Sequence, residues 1–223
     1  MRCRTSGFTL PEVVMAMAIA AMIGLSIVGV SAALSGAYAQ SQDFYQCLQT
    51  GRSTMARIQA AVRKAKLVTY VSPTRLLLWQ DDLNGDGQIN LLEISAIAFD
   101  APSRQVRLYT HEFPQSLGDL AVAALNQKIS LSTAMSASTV ASAMSGPYIK
   151  FVILADDVKN FKVSAVTAPP LTQVVQMTLK AAKGKRSIKF RSAVSLRAGK
   201  VDYVGASGTS YYLSTEKVTT TVQ

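Results

Sequence analysis

The sequence is poor in the side chains from which most catalytic and metal centres are built. It has one histidine, His111, and two cysteines, Cys3 and Cys47. A single histidine excludes most His-based metal sites and catalytic arrangements, and two cysteines allow at most one internal disulfide. Acidic residues number 13 against 23 basic ones. This moderately basic balance suits contact with anionic lipid headgroups or acidic proteins.

Charge is missing altogether from residues 13–34, an apolar run of 22 residues. As an α-helix this run would be ~33 Å long, which matches the ~30 Å hydrocarbon core of a bilayer. Arg2 and Arg4 precede the run, and the next basic residue is Arg52. The positive-inside rule therefore predicts a single membrane pass with the N-terminus in the cytoplasm.

A cleaved secretory signal peptide is the alternative interpretation of this N-terminus. Ala37-Tyr38-Ala39 has the small-residue pattern of a signal-peptidase site. The apolar part of a signal peptide usually has ~7–15 residues, however, and this run is longer. The acidic residue Glu12 lies directly before the run, and an ionisable group at a membrane edge suggests a function.

Glu12 ends the string Gly7-Phe8-Thr9-Leu10-Pro11-Glu12. This string resembles the prepilin-peptidase and methylation motif of type IV pilins and pseudopilins. The resemblance implies cleavage after Gly7, methylation of the new N-terminal residue Phe8, and a role for Glu12 in filament assembly. Cleavage would leave Phe8 with a positively charged amine, which the Glu12 carboxylate of its own or a neighbouring subunit can neutralise.

The resemblance also implies an α+β, pilin-like fold, in which a long N-terminal helix packs on an antiparallel β-sheet. Beyond the membrane span the helix continues in amphipathic form, with apolar residues recurring at helical spacing and with Gly51 as a candidate bend. The predicted parts are a leader at 1–7, a transmembrane and filament-core helix at 8–34, its amphipathic continuation at 35–66, a β-domain at 67–200 and a tail at 201–223.

Two segments of the β-domain differ from ordinary strands. Residues 130–146 consist almost wholly of Ser, Ala, Thr and Met, a composition that predicts a flexible or loosely packed insertion. Residues 174–196 predict a basic hairpin. Its basic residues are Lys180, Lys183, Lys185, Arg186, Lys189 and Arg191. The length, the insertion and the late basic hairpin together resemble the J-type minor pseudopilins of type II secretion.

Residues 82–93 match the twelve-residue calcium loop D-x-[DN]-x-[DN]-G-x5-E at every specified position. Calcium takes six to eight hard oxygen ligands. The motif predicts ligands from Asp82, Asn84, Asp86, the Gln88 backbone carbonyl, Asn90 and a bidentate Glu93. The flanking segments have strand composition, so the helix-opening mechanism of calcium sensors is not expected. We expect a structural calcium site, with a polar turn that binds no metal as the alternative.

Three classes of function fit these patterns to different degrees. The first is a minor pseudopilin of the bacterial inner membrane, with a periplasmic C-terminal domain. Its expected partners are other pseudopilins or pilins, the prepilin peptidase, the inner-membrane assembly platform and membrane lipid. The second is a minor pilin of a surface or DNA-uptake pilus, although the basic hairpin has no interleaved set of aromatic residues for base stacking and nucleic acid is not an expected partner. The third, an anchored enzyme, has no supporting motif.

Overall fold

A computed structural model describes residues 9–114, 116–184, 186–196, 204–207 and 210–213. The predicted leader and its cleavage and methylation residues, Gly7 and Phe8, lie outside the described residues. The chain divides into two compact units, residues 1–45 and 46–223. Helix α1 (Leu10–Lys64) begins in the first unit and ends in the second.

The first unit consists, in its described part, of the N-terminal portion of α1. Residues 9–42 are all exposed. The helix is long and apolar enough to cross a membrane. An exposed apolar helix is typical of a segment whose partner is lipid or another helix.

The second unit combines the end of α1 with antiparallel sheets, which confirms the predicted α+β fold. Its strands are β1 (Leu67–Ser72), β2 (Arg75–Trp79), β3 (Ile89–Asn90), β4 (Ile94–Asp100), β5 (Gln105–His111), β6 (Lys128–Ile129), β7 (Ile149–Ala155), β8 (Val158–Ala165), β9 (Val174–Lys183), β10 (Arg186–Ser195), β11 (Val204–Ser207) and β12 (Ser210–Leu213). Its shorter helices are a 3₁₀ turn (Leu91–Glu93), α2 (Asp119–Leu125), α3 (Leu131–Ala134) and α4 (Ala137–Ser142).

A five-stranded sheet has the order β1-β2-β4-β5-β7, and its strand β2 is covered on both faces. Along β2, Leu76 and Leu78 belong to a core cluster that contains α1, whereas Leu77 and Trp79 belong to a second cluster on the opposite face. All four side chains are fully buried. A strand covered on both faces has a continuous apolar run instead of alternation, which is why this segment is rich in leucine.

The first core cluster joins the end of α1 to a three-stranded sheet of order β10-β9-β8. Met55, Ile58 and Val62 of α1 pack with Phe161 of β8 and Leu179 of β9. The apolar stripe predicted for residues 35–66 therefore covers the sheet from Met55 onward, as expected for a helix packed on an antiparallel sheet.

The segment 130–146 is not the loosely packed insertion that its composition predicts. It contains α3 and α4, and it buries Leu131, Ala134, Val140 and Ala143 in the second cluster. Ser130 and Ser136 accept backbone N–H bonds at the starts of the two helices. Small residues let these short helices approach the sheet closely, so a composition that buries little per residue still forms part of the core.

The last four strands form two antiparallel pairs. Strands β9 and β10 pair from Val174 with Ser195 to Lys183 with Arg186, which confirms the predicted hairpin. In the tail, β11 and β12 pair with each other, and Leu213 is buried in the second cluster.

Candidate functional site

The predicted calcium loop connects β2 to the short strand β3 and the 3₁₀ turn that precedes β4. Strands therefore flank the loop, as predicted, and helices do not. Gly85 and Gly87 both have φ of +69°, a conformation that glycine adopts without steric cost. Ile89 is fully buried in the second core cluster and anchors the end of the loop.

Asp82 is the most buried carboxylate of the 82–90 part of the loop. Its side chain is 8% exposed, and its Oδ2 atom accepts a 2.9 Å hydrogen bond from the Gly87 N–H. Its Oδ1 atom is buried without a hydrogen-bond partner. A buried carboxylate oxygen without a donor is costly, and a bound cation is one way to satisfy it.

Asn84, Asp86 and Asn90 are linked through Asp86. The Asp86 N–H donates to Asn84 Oδ1, and Asp86 Oδ1 accepts from the Gln88 N–H at 2.9 Å and from Asn90 Nδ2 at 3.4 Å. Burial would raise the pKa of the Asp86 carboxyl, but the hydrogen bonds that it accepts, first that from Gln88, hold this pKa below its usual value. Asp86 is therefore ionised at neutral pH and is available as a ligand.

Two lysines already lie next to these carboxylates. Lys66 Nζ is 3.7 Å from Asp82 Oδ2, and Lys128 Nζ is 3.3 Å from Asp86 Oδ2. Lys66 also lies over the Trp79 ring, 5.5 Å from its centroid. A metal ion bound to Asp82 and Asp86 would therefore compete with two ammonium groups for the same oxygens.

Glu93, the predicted bidentate ligand, makes a different set of contacts. It is 3% exposed. Its Oε2 atom accepts hydrogen bonds from Trp79 Nε1 at 3.0 Å and from the Asn90 N–H at 3.1 Å, and its Oε1 atom accepts from the Leu83 N–H at 2.9 Å. The carboxylate thus closes the loop against the end of β2 through three N–H groups. The motif missed this role, although a buried tryptophan N–H generally needs an acceptor.

The donor set fits calcium in part. Asp82, Asn84, Asp86, the Gln88 carbonyl and Asn90 supply oxygen-bearing groups in one loop, and Asp82 has an unsatisfied buried oxygen. Across the described residues, no three His, Cys, Asp or Glu side chains converge closely enough to hold a metal ion. A calcium ion would therefore be held chiefly by residues 82–90, with neutral oxygens and water completing its shell.

Glu12, the predicted assembly residue, lies in the first turn of α1. Its Oε2 atom accepts hydrogen bonds from the Thr9 N–H at 2.9 Å and from the Thr9 hydroxyl at 2.8 Å. A carboxylate that accepts a hydrogen bond from the backbone N–H of the residue before a helix stabilises the start of that helix. Glu12 therefore has a structural contact in its own chain, beside the predicted pairing with the Phe8 amine.

A cavity of about 440 Å³ lies between the end of α1 and strands β7 and β9. Its lining includes the buried free thiol of Cys47, together with Arg57, Asp157 and Lys183. Lys183 and Asp157 form an ion pair at 3.1 Å. His111 is not among the lining residues, so Cys47 lacks the imidazole base that activates most nucleophilic thiols.

Comparison with known proteins identifies no relative. No protein-family model, no curated protein and no solved structure matches the chain.

Proposed function

We propose that this chain is a minor pseudopilin subunit of a type II secretion filament. It is processed by the prepilin peptidase, resides in the bacterial inner membrane with its N-terminus in the cytoplasm and its C-terminal domain in the periplasm, and assembles through α1. It acts as a structural subunit and not as an enzyme. The observation that carries this proposal is an exposed apolar helix that begins within the Gly7–Glu12 motif.

The first unit of α1 has the properties of a filament-core helix. Apolar side chains such as Ile19, Leu25 and Val28 are more than half exposed, so this helix needs lipid before assembly or neighbouring helices after it. Apart from the adjacent backbone of the helix itself, no heavy atom lies within 4 Å of the position that a Cβ would take at Gly24 or Gly29. Small residues on such a surface allow helices of neighbouring subunits to approach closely.

Strand β7 provides a second surface for subunit contact. It is the outermost strand of its sheet among the described residues. Phe151, Val152 and Ile153 are 49%, 56% and 38% exposed, so apolar side chains project from both faces of this edge. An apolar strand edge is a template for pairing with another chain, which supports an assembly role.

The alternative function is a minor type IV pilin of a surface or DNA-uptake pilus. The basic β9–β10 hairpin favours it, because exposed lysines and arginines can contact phosphates. The genes that flank this one distinguish the two functions. A secretion ATPase and a secretin would support the pseudopilin, whereas competence genes would support the pilin.

Processing tests the proposal directly. Mass spectrometry of the membrane-extracted protein is expected to show a mature chain that begins at N-methylated Phe8. Gly7→Val should abolish this product, because the resemblance implies that the peptidase requires a small residue before the cut. A mature chain that begins at Gln40 would instead identify an ordinary signal peptide.

Glu12 variants test how the subunit assembles. Glu12→Val is expected to leave cleavage intact and to reduce incorporation into filaments, because it removes the carboxylate that neutralises the Phe8 amine. Glu12→Gln keeps an oxygen that can accept the Thr9 hydrogen bonds but has no charge. Incorporation is measured by quantifying the variant in sheared filaments.

The two Glu12 variants separate charge pairing from stabilisation of the helix start. If charge pairing matters, Glu12→Gln assembles as poorly as Glu12→Val. If only the contact with Thr9 matters, Glu12→Gln assembles like the wild type. The second result would remove charge neutralisation from the assembly mechanism.

We also propose that the 82–90 loop binds calcium as a structural ion. Asp82 and Asp86 would hold the ion, and its positive charge would offset theirs and the cost of burying the unsatisfied Asp82 Oδ1. The observations that support it are this buried oxygen and the match of the loop to the calcium motif. Because Lys66 and Lys128 lie beside the same carboxylates, binding in the weak range of ~10⁻⁴–10⁻³ M is expected.

Calcium is expected to raise the melting temperature of the full chain in detergent. An ion that binds only the folded state stabilises it by ~2.7 kcal/mol when its concentration exceeds Kd a hundredfold. Asp86→Ala should abolish the difference between calcium and chelator, whereas Lys128→Gln should increase calcium affinity by removing a competing cation. A wild-type melting temperature that is equal in calcium and in chelator would identify the loop as a polar turn.

A further inference from the structure

The outward face of the three-stranded sheet carries basic side chains without acidic ones. Strands β8, β9 and β10 contain no Asp or Glu. Their pairing places side chains in two cross-strand rows, Asn160–Lys180–Lys189 and Lys162–Thr178–Arg191. The opposite face, which includes Phe161 and Leu179, packs in the first core cluster. We call the four exposed basic residues of the two rows, Lys162, Lys180, Lys189 and Arg191, the cationic face.

The cationic face is not neutralised within the described part of the chain. Lys150 and Lys183 form ion pairs with Glu112 and Asp157, but none of the four residues of the cationic face forms one. Lys180 lies directly opposite Lys189 in the β9–β10 register. Like charges directly opposite each other weaken a sheet, so folding does not account for this arrangement.

Geometry makes the cationic face compact and flat. Neighbouring strands lie ~4.8 Å apart, and successive residues on one face of a strand lie ~6.7 Å apart. The four charges therefore occupy an area of about 10 Å by 7 Å, which is comparable to the Debye length of ~8 Å at physiological salt. Such an array presents a concentrated positive potential to a partner with closely spaced negative groups.

We propose that the cationic face docks on the anionic headgroups of the membrane in which α1 is anchored. This inference rests on the membrane insertion of α1, which is part of the proposed function. Residues 35–45 connect the membrane span to the second unit and measure about 16 Å as a helix. Because α1 runs without a break from the membrane span into the second unit, the cationic face is tethered to that membrane, which raises the effective concentration of headgroups around it.

Lipid fits the cationic face better than nucleic acid does. The exposed side chains of the two rows include no aromatic residue on which a base could stack, and Phe161 and Phe190 belong to the core side of the sheet. The remaining groups of the rows, Asn160 and Thr178, can donate hydrogen bonds to phosphate oxygens. Each lysine or arginine near an anionic membrane surface contributes to binding independently of any sequence.

The test uses the full chain reconstituted in vesicles, with Cys3→Ser to leave the buried Cys47 as the remaining native thiol. A fluorescent donor is attached at Ala193→Cys, an exposed position of β10 beside Arg191. Energy transfer to headgroup-labelled lipid is measured in phosphatidylcholine vesicles and in mixed phosphatidylcholine–phosphatidylglycerol vesicles. A donor at Ala141→Cys, exposed on α4, gives the reference signal from another face of the domain.

Two variants with equal change in net charge separate the cationic face from general basicity. The first replaces Lys162, Lys180, Lys189 and Arg191 by Gln. The second replaces Arg52, Arg57, Arg63 and Arg75 by Gln, all of which are exposed and form no ion pair within the described residues. Trp79 fluorescence verifies that both variants fold. A third variant, which replaces Lys162, Lys180 and Lys189 by Arg, keeps the charge and should keep the wild-type energy transfer.

We expect stronger energy transfer from the donor at residue 193 in the vesicles with phosphatidylglycerol than in those of phosphatidylcholine alone. Added salt should reduce this transfer. The variant that lacks the cationic face should lower the fraction of molecules whose sheet lies on the vesicle surface about tenfold or more. The variant with four arginines replaced should retain the wild-type fraction. Equal transfer in the two lipids, or an equal loss in both variants, would overturn the proposal. Binding of duplex DNA that depends on the cationic face, without transfer to lipid, would overturn it in favour of a nucleic-acid partner.

Discussion

Glu93→Ala is expected to lower the free energy of unfolding by about 3–5 kcal/mol, both with calcium and with chelator. The buried Glu93 carboxylate accepts hydrogen bonds from Trp79 Nε1 and from the N–H groups of Leu83 and Asn90. Truncation leaves these donors unpaired between β2 and β4, and each unpaired buried donor costs about 1–3 kcal/mol. Trp79 is the single tryptophan and is fully buried, so its fluorescence follows unfolding of this region.

Two further variants define what Glu93 contributes. Glu112→Ala removes an exposed carboxylate that pairs with Lys150 at 2.8 Å, and it should cost less than ~1 kcal/mol. Glu93→Gln keeps one acceptor oxygen and should fall between the two alanine variants. If Glu93→Ala and Glu112→Ala unfold at the same denaturant concentration, the hydrogen bonds of Glu93 do not stabilise the fold.

This role of Glu93 changes how the calcium hypothesis can be tested. The motif alone makes Glu93→Ala an obvious calcium-binding variant. Because the same carboxylate holds three N–H groups, its removal would destabilise the domain whether or not calcium binds. Asp86 is the better target, since its side chain is 25% exposed and, apart from the ion pair with Lys128, its hydrogen bonds lie within the loop.

Local patterns were sufficient to predict the elements whose signals are local. The apolar run at 13–34 lies within α1, and the hairpin predicted at 174–196 is formed by β9 and β10. Both signals depend on residues near one another in the sequence, so they do not require knowledge of the tertiary structure. The strands that flank the calcium motif were predicted for the same reason.

Features that depend on distant contacts could not be read from the sequence. The burial of all residues from Leu76 to Trp79 requires a layer on each face of the sheet, and the second layer includes α3, α4 and β12. A segment of Ser, Ala, Thr and Met has the same composition whether it is a mobile loop or packs in such a layer. Only the contacts of Leu131 and Val140 with the sheet cluster distinguish the two.

Gly51 illustrates the same limit at a single residue. From the sequence it is a weak point of α1, because glycine costs about 1 kcal/mol relative to alanine within a helix. In the structure the helix continues unbroken through Gly51, which is buried. A Cβ atom at this position would come closer than 3.0 Å to the ring of Phe190 in β10. Glycine therefore allows α1 and β10 to approach each other closely.

Gly51→Ala is accordingly expected to destabilise the domain by about 1–3 kcal/mol, despite the better helix propensity of alanine. The added methyl overlaps a ring that packs against the first core cluster, so either Phe190 or the helix must move. Phe190→Leu should restore most of the lost stability in the double variant, since a smaller side chain leaves room for the methyl. A thermodynamic cycle of the four proteins measures this coupling.

Gly36→Ala is the control and should not lower the melting temperature, because no heavy atom beyond the adjacent helix backbone lies within 4 Å of the added Cβ. An increase in stability for Gly51→Ala alone would show that the ring moves freely and that the close approach of α1 to β10 does not depend on glycine.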